Sequence, residues 1–243
     1  MTFYPHSFIN GGFMLYVLTM VLLIVLYVAA FLNMRHLRNT ALCNAVFTIL
    51  IFGFYLCVVT RAYLADGFYD WNFRNTLPTA NVSPFMFTLV VVMHLLPKKI
   101  KKYFYLLISL LSVGMIISPM LGCIYNASIN YKFHLHFVAD FLAHVLISLW
   151  GVYLVKTGQV ELSKRSCIIS SLIIIGSAVG MLILNLIFDT SFFGLSLNGK
   201  HNIYNNVLTD NSYLSAALYF IGLCAVLGMG YLYSRIISRK KNN

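Results

Sequence analysis

Residues 12–38, GFMLYVLTMVLLIVLYVAAFLNMRHLR, decide the fold, because a long apolar run ends directly at Arg35 and Arg38. The hydrocarbon core of a bilayer needs about 20 consecutive apolar residues per helix, so this run predicts a membrane-spanning helix. No Lys or Arg precedes the run, and it is longer than the roughly 7 to 15 apolar residues of a secretory signal. We therefore expect the segment to stay in the protein as a helix.

The composition of the whole chain is that of a membrane protein. Its 243 residues are 60% apolar and 9% charged, whereas an ordinary soluble domain has about 25% charged residues. These values exclude a soluble globule and a disordered chain, and 5 Cys scattered through apolar runs exclude a disulfide scaffold. Apolar runs long enough to span a bilayer lie at about residues 12–32, 41–60, 78–97, 103–124, 134–155, 167–188 and 212–234.

The seven runs are not divided by a linker or an internal repeat. We therefore expect residues 1–243 to form a single all-α domain, a polytopic membrane helical bundle of seven transmembrane helices. The Lys-, Asn- and Ile-rich composition favours a bacterial cytoplasmic membrane, with membrane lipids around the helices. The sequence leaves the oligomeric state open.

The positive charges predict the orientation of the bundle. Thirteen of the 17 Lys and Arg residues follow the first, third, fifth and seventh runs. Basic residues in short loops are retained in the cytoplasm, so we predict an outside N-terminus and a cytoplasmic C-terminus. In a soluble protein a net charge of +11 would suggest nucleic acid as a partner. Here the placement of the charges indicates topology and attraction to anionic lipid headgroups, and we expect no nucleic-acid partner.

One stripe of ionisable side chains lies in the fifth run. His136, Asp140 and His144 are spaced four apart, so they share one helix face. An acid at the centre of a transmembrane helix costs roughly 2.5 to 3.5 kcal/mol, which indicates a specific role. Asp140 can accept a hydrogen bond from either imidazole and thereby fix which ring nitrogen stays free. The stripe is typical of an oriented general base, although an interhelical network is the alternative.

The third run supplies a partner for this stripe. Asn81 and Thr88 share a face, and we expect Pro84 to kink the helix near its start because proline lacks an N–H donor. Thr88 and His144 lie about 11 and 10 residues deep, or roughly 15 Å each. A hydroxyl, an imidazole and a carboxylate at matched depth are the parts of an activated nucleophile. The alternative is a structural threonine that bonds its own i−4 carbonyl.

His94 lies in the same run and about 9 Å deeper than Thr88. It is on another face of the predicted helix. We therefore leave it out of the nucleophile group and expect a hydrogen bond between helices instead.

Three segments carry a family resemblance: Pro84-Phe85-Met86-Phe87-Thr88, His144 after Asp140, and Asn185 through Leu195. The first is similar to a Pro-Leu-His-Leu-Cys motif, so that residues 68–234 resemble the YwaF family of bacterial integral membrane proteins. That family is related to a eukaryotic transmembrane acyltransferase acting on ether phospholipids. The resemblance implies a Cys nucleophile with a His partner, at the positions of Thr88 and His144. Thr88 replaces the family's Cys and Met86 its His, and a Thr–His pair resembles that of the androgen-induced hydrolases of fatty-acid esters of hydroxy fatty acids.

These features favour an intramembrane acyl hydrolase or acyltransferase that acts on lipid esters. We expect Thr88 to attack the ester, His144 to act as base and then as acid, and Asp140 to orient the ring. Candidates for binding the substrate and donating to the oxyanion are His136, Asn81 and Asn185. This mechanism needs no metal or cofactor. The lipid class and the choice between hydrolysis and transfer stay open.

Two other functions are compatible with the sequence. His134 and the three residues of the stripe could bind Zn²⁺, as in seven-span hydrolases of the ceramidase and progestin-receptor type. Against this, residues 212–234 lack the HxxxH pair expected of those families. A noncatalytic transport component or scaffold could instead use the polar face to bind a solute or a partner helix.

Overall fold

The protein is mostly helical in the part that the computed structural model describes, which comprises residues 11–34, 39–66, 77–129, 135–195, 197 and 211–239. Each predicted apolar run corresponds to a helix, which confirms the expectation of an all-α membrane protein. The α-helices are α1 (Gly11–Asn33), α2 (Thr40–Asp66), α3 (Val82–Val92), α4 (Lys98–Ile129), α5 (Leu135–Lys156), α6 (Lys164–Phe188) and α7 (Ser212–Arg239). Two 3-10 turns follow α3 and α6, at Met93–Leu95 and Phe192–Gly194.

Five of these helices are long and apolar enough to cross a membrane, namely α2, α4, α5, α6 and α7. The apolar parts of the other two are shorter, at Val17–Asn33 in α1 and Val82–Leu95 in α3 with its 3-10 turn. Large apolar side chains are exposed along these helices, as lipid contact requires. The chain is therefore a membrane protein with several apolar helices.

The helices α4 and α5 form the centre of the bundle. In α5, 72% of the residues of the apolar segment are buried, compared with 17% in α2 and in α6. Gly151 of α5 lets the two backbones approach, because a Cβ there would lie 2.8 Å from the carbonyl oxygen of Ile108. The Ser109 hydroxyl donates across the same contact to the Gly151 carbonyl at 3.0 Å. Small residues at such a contact are typical of membrane helices.

The helix α3 begins at Val82, later than predicted, and Pro84 does not kink it. Asn81 is the N-cap, and its side-chain oxygen accepts a hydrogen bond from the Ser83 N–H at 3.1 Å. Pro84 is the third residue of the helix, where an N–H would have no helical partner in any case. The kink prediction is wrong because residues 77–80 form a turn, not a helical turn that proline could distort.

Candidate functional site

The His144 ring is buried and oriented by its own helix. The residue is 4% exposed, and Nδ1 lies 2.8 Å from the Asp140 carbonyl oxygen and 3.5 Å from its carboxylate Oδ1. Both oxygens are acceptors, so Nδ1 carries the proton and the neutral ring has its lone pair on Nε2. Within the described ranges no residue hydrogen-bonds to Nε2. The ring therefore keeps free the nitrogen that a general base uses.

Asp140 lies close to the end of the membrane segment and not at its centre. The apolar part of α5 begins at Val138, only two residues earlier, and the Asp140 side chain is 35% exposed. A carboxylate in this position stays within reach of water or headgroups, which lowers the desolvation cost.

Phe87 joins α3 to α5 at the level of His144. Its ring meets the His144 imidazole edge to face, with the centroids 4.9 Å apart and the planes at 87°. On its other side Phe87 packs against Tyr55 of α2, at a centroid distance of 5.5 Å. This contact shows that α3 and α5 are neighbours at Phe87 and His144. The α3 residue on the His144 ring is Phe87, the residue directly before Thr88.

The Thr88 hydroxyl bonds its own helix, and the side chain lies close to Tyr55 of α2. Its Oγ1 donates to the Pro84 carbonyl at 3.1 Å. Among the described residues, His144 is not a hydrogen-bond partner of Thr88. Successive residues on a helix point about 100° apart, so Thr88 is turned away from the face on which Phe87 meets the imidazole.

Asn185 uses its whole hydrogen-bonding capacity on the segment that follows α6. Its Nδ2 donates to the carbonyls of Phe192, at 2.9 Å, and Leu195. Its Oδ1 accepts from the Phe192 N–H at 2.7 Å and from the Thr190 hydroxyl at 2.8 Å. An amide has two N–H donors and two lone pairs, so nothing is left for a substrate. We call residues 189–195 the Asn185 loop.

The Asn185 loop is fastened to the start of α3. The Phe193 N–H donates to the Thr79 carbonyl at 2.8 Å, and the buried Phe193 ring packs edge to face on Phe85 at 5.4 Å. Phe193 has a φ of 56°, which is unfavourable for a bulky side chain and persists only where other contacts hold it. Asn185 therefore holds the loop whose Phe193 ring covers α3 at Phe85, about one turn before Thr88.

Of the remaining predicted site residues, one is described in full and one only in its backbone. Asn81 caps α3, with its side-chain oxygen on the Ser83 N–H. His136 belongs to α5, but its side chain lies outside the described residues, as does all of His134. Among the described residues no group of three His, Cys, Asp or Glu side chains is close enough to hold a metal ion.

Sequence reasoning missed Tyr55. The residue is 6% exposed and lies midway along α2, where its neighbours in sequence are apolar. A buried tyrosine hydroxyl needs a hydrogen-bond partner, and this rule is the one signal that could have drawn attention to it. The position of Tyr55 beside Thr88 depends on how α2 and α3 pack.

A second polar cluster, which we call the His94 cluster, lies at the other end of α3. Lys101 Nζ donates to His94 Nδ1 at 3.1 Å, and His94 Nε2 lies 2.7 Å from Thr48 Oγ1. The Thr48 hydroxyl donates onward to the Asn44 carbonyl at 2.8 Å, so it accepts from the Nε2–H. These bonds confirm that His94 joins helices.

Trp150 of α5 extends the His94 cluster. Its ring stacks on the imidazole with the centroids 6.4 Å apart, and its Nε1 donates to the Asn44 side-chain oxygen at 2.9 Å. Asn44 Nδ2 donates to Gln159 at 2.7 Å, and Gln159 Nε2 donates to the Thr157 hydroxyl at 2.8 Å. The cluster therefore ties α2, α3, α4 and α5 together through one continuous chain of hydrogen bonds.

A bundle of apolar helices with an oriented imidazole buried inside it defines a polytopic α-helical membrane protein with an internal polar site. The model of the TMEM164 family matches residues 5–233, which is nearly the whole chain, so the protein belongs to the TMEM164 family. No curated protein and no solved structure shows significant similarity to the chain.

Proposed function

We propose that this member of the TMEM164 family is an intramembrane acyl hydrolase or acyltransferase that acts on lipid esters. The observation that carries the proposal is the His144 ring, which is buried and held at Nδ1 by the Asp140 carbonyl and carboxylate. An imidazole held in this way presents Nε2 as a base. The resemblance of residues 84–88 and 185–195 to the acyltransferase-related YwaF family supports the same chemistry.

Thr88 is the proposed nucleophile. Its Oγ1 attacks the ester carbonyl carbon while the hydroxyl proton passes to His144 Nε2, which gives a tetrahedral oxyanion. Collapse expels the alcohol, which takes the proton from His144, and the acyl group stays on Thr88. Water or an acceptor alcohol then attacks this ester with His144 again as the base. For the first step, the Thr88 hydroxyl leaves the Pro84 carbonyl and the face of α3 that carries Thr88 turns toward His144.

The other predicted residues have supporting roles in this proposal. Asp140 positions the His144 ring and stabilises its protonated form. Asn81 and Asn185 act on the substrate through the backbone that they hold, namely the start of α3 and the Asn185 loop. His136 lies one turn before Asp140 on the same face of α5 and is the proposed contact for the lipid ester.

The membrane setting completes the proposal. We place α1 to α7 as seven transmembrane helices of one domain, with the N-terminus outside and the C-terminus inside a bacterial cytoplasmic membrane. The placement of thirteen basic residues supports this orientation. The proposed site then lies in the outer half of the bilayer, and the cytoplasmic basic residues attract anionic headgroups.

A second candidate is a noncatalytic scaffold or transport component. The hydrogen bond from Thr88 to the Pro84 carbonyl favours it, because structural threonines in membrane helices make this bond. In that case the polar face binds a partner helix or a solute, and no acyl group is transferred.

Acyl turnover in proteoliposomes distinguishes the two candidates. Purified protein is given phospholipid with a labelled acyl chain, and release or transfer of the label is followed. We expect Thr88→Ala to lower turnover at least about 10³-fold. The control is Thr48→Ala, which removes the same side chain from the His94 cluster and keeps turnover. A Thr88→Ala protein as active as wild type contradicts the mechanism, and an inactive wild type that co-purifies with a fixed partner supports the scaffold.

A further inference from the structure

A surface of unpaired positive charge lies at the start of α4, beside the His94 cluster. Four of the first five residues of α4 are lysines, namely Lys98, Lys99, Lys101 and Lys102. Among the described residues, no carboxylate lies within ion-pairing distance of any of the four. Like charges three and four residues apart on a helix repel each other. This surface therefore favours an anionic partner.

His94 holds the Lys101 ammonium in place. Lys101 Nζ donates one N–H to His94 Nδ1 at 3.1 Å. The imidazole is itself fixed, because its Nε2 lies 2.7 Å from Thr48 Oγ1 and its ring stacks on Trp150. An ammonium has three N–H donors, and His94 Nδ1 is the acceptor that the described residues offer to Lys101. Two donors of a fixed ammonium are therefore available to a ligand.

The surroundings of Lys101 match the two parts of a phospholipid. The apolar segment of α3 ends at Leu95 and that of α4 begins at Lys98, so the ammonium lies where the apolar helix surface ends. Leu95 is 84% exposed and Ile100 is 47% exposed. Exposed apolar side chains at this level contact acyl chains, while the cations beside them reach the headgroup phosphates. A free phosphate ion would use the cations and leave the apolar side chains uncovered.

The lysines of this surface are not equivalent. At 3.6 residues per turn, Lys98, Lys101 and Lys102 share one face of α4, whereas Lys99 lies about 160° around the helix from Lys101. Of the four, Lys101 is the lysine that donates to a described side chain. A general attraction between the membrane and basic residues depends on all four alike. A defined binding site depends most on Lys101 and least on Lys99.

We infer that Lys101, positioned by His94, binds the phosphate of an anionic phospholipid at this end of the bundle. Its two remaining N–H groups donate to the phosphate oxygens, and Lys98 and Lys102 add positive charge on the same face. The acyl chains lie along the exposed apolar side chains beside the ammonium. A zwitterionic headgroup brings its own cation toward the lysines and binds less tightly. This binding is noncovalent and requires no acyl transfer.

The first test measures lipid binding to the full chain in detergent. Native mass spectrometry follows bound dioleoylphosphatidylglycerol as its concentration is raised, with dioleoylphosphatidylcholine as the zwitterionic comparison. Lys101→Gln should weaken binding of phosphatidylglycerol about 30-fold, because hydrogen bonds to a charged group are lost. The matched control is Lys99→Gln, which removes the same charge from another face of α4. It should weaken binding about twofold, as expected for an exposed charge.

Three outcomes of this experiment would overturn the inference. Equal losses in Lys101→Gln and Lys99→Gln would mean that only a general attraction to anionic lipid exists. Equal binding of phosphatidylcholine and phosphatidylglycerol by wild type would mean that the lysines do not select the headgroup. Displacement of the lipid by inorganic phosphate at the same concentration would mean that the cations alone make the site and that its ligand is a free anion.

The second test examines the role of His94 without changing the net charge. His94→Phe removes both ring nitrogens and keeps an aromatic ring against Trp150. Lys101 then lacks the acceptor that holds its ammonium, so binding of phosphatidylglycerol should weaken about fivefold, the effect of one hydrogen bond. Thermal unfolding in detergent establishes that the variant is folded. An unchanged affinity in the folded His94→Phe protein would overturn the positioning role of His94.

Discussion

The polar sites around His94, in the turn after α3, and around His144, in α5, are both built on a histidine and differ in how their hydrogen bonds end. In the His94 cluster both ring nitrogens have protein partners, and the chain of donors runs on to a backbone carbonyl. At His144, one nitrogen is held and the other has no partner among the described residues. A closed network stabilises a fold, whereas an oriented base with a free nitrogen is available for chemistry.

The two histidines also differ in burial, and the relation between burial and hydrogen bonding is the opposite of the usual one. His94 is exposed and fully bonded, while His144 is buried and half bonded. The polar atoms of buried side chains are normally paired. In the proposed function, Nε2 of His144 is the atom that takes the proton of the nucleophile.

Replacing each histidine separately by glutamine should give the largest difference between the catalytic role of His144 and the structural role of His94. We expect His144→Gln to lower lipid turnover at least about 10³-fold, because the base is lost. His94→Gln should keep turnover within about twofold and lower the free energy of unfolding by about 1 kcal/mol, because hydrogen bonds to Thr48 and Lys101 are lost. Turnover assays and thermal unfolding in detergent measure the two effects. Equal losses of turnover in both variants would show that the clusters are not functionally different.

Asn185→Ala should give the next largest effect. The substitution leaves the Phe192 N–H and two loop carbonyls without their partner, at a cost of about 3 kcal/mol in unfolding free energy. Hydrogen exchange of the backbone amides in residues 192–195 should speed up at least tenfold, on the order of the bonds lost. Asn185→Asp keeps the acceptor side of the network and should lie between wild type and alanine. Unchanged exchange in the Asn185 loop would mean that other contacts hold it.

Asp140→Asn should have the smallest effect of the three. The backbone carbonyl of residue 140 still holds the His144 Nδ1–H, so the tautomer is kept and only the charge that stabilises the imidazolium is lost. We expect kcat to fall about tenfold. The control is Glu161→Gln, which removes a carboxylate from the exposed connection between α5 and α6 and should leave kcat unchanged. A loss approaching 10⁴-fold would instead assign control of the tautomer to the carboxylate.

The sequence predicted the helices well because a bilayer imposes a length that apolar runs must meet. It also identified the contact between Asp140 and His144, since that spacing is local to one helix. The start of α3 was misplaced because one side chain, Asn81, ends the turn before it and begins the helix. Caps of this kind are decided by a single hydrogen bond and not by an apolar pattern.

Contacts between distant segments could not be derived from the sequence. Tyr55 and Thr88 are 33 positions apart, and nothing in the spacing of either helix indicates that the two side chains lie close together. Asn185 was expected to bind the substrate because of its residue type and its depth. The loop that returns over it uses every one of its hydrogen bonds. Such partners depend on packing between elements, which periodicity does not encode.

The central claim is that the protein transfers acyl groups through Thr88, with His144 as the base. The most direct test is to quench the protein during turnover of an acyl-labelled phospholipid and locate the label by peptide mass spectrometry. We predict an ester-linked acyl group on Thr88 in wild type, none on Thr48, and none on Thr88 in the His144→Gln protein. Lipid turnover without acylation of Thr88, or the same acylation in His144→Gln, would contradict the account.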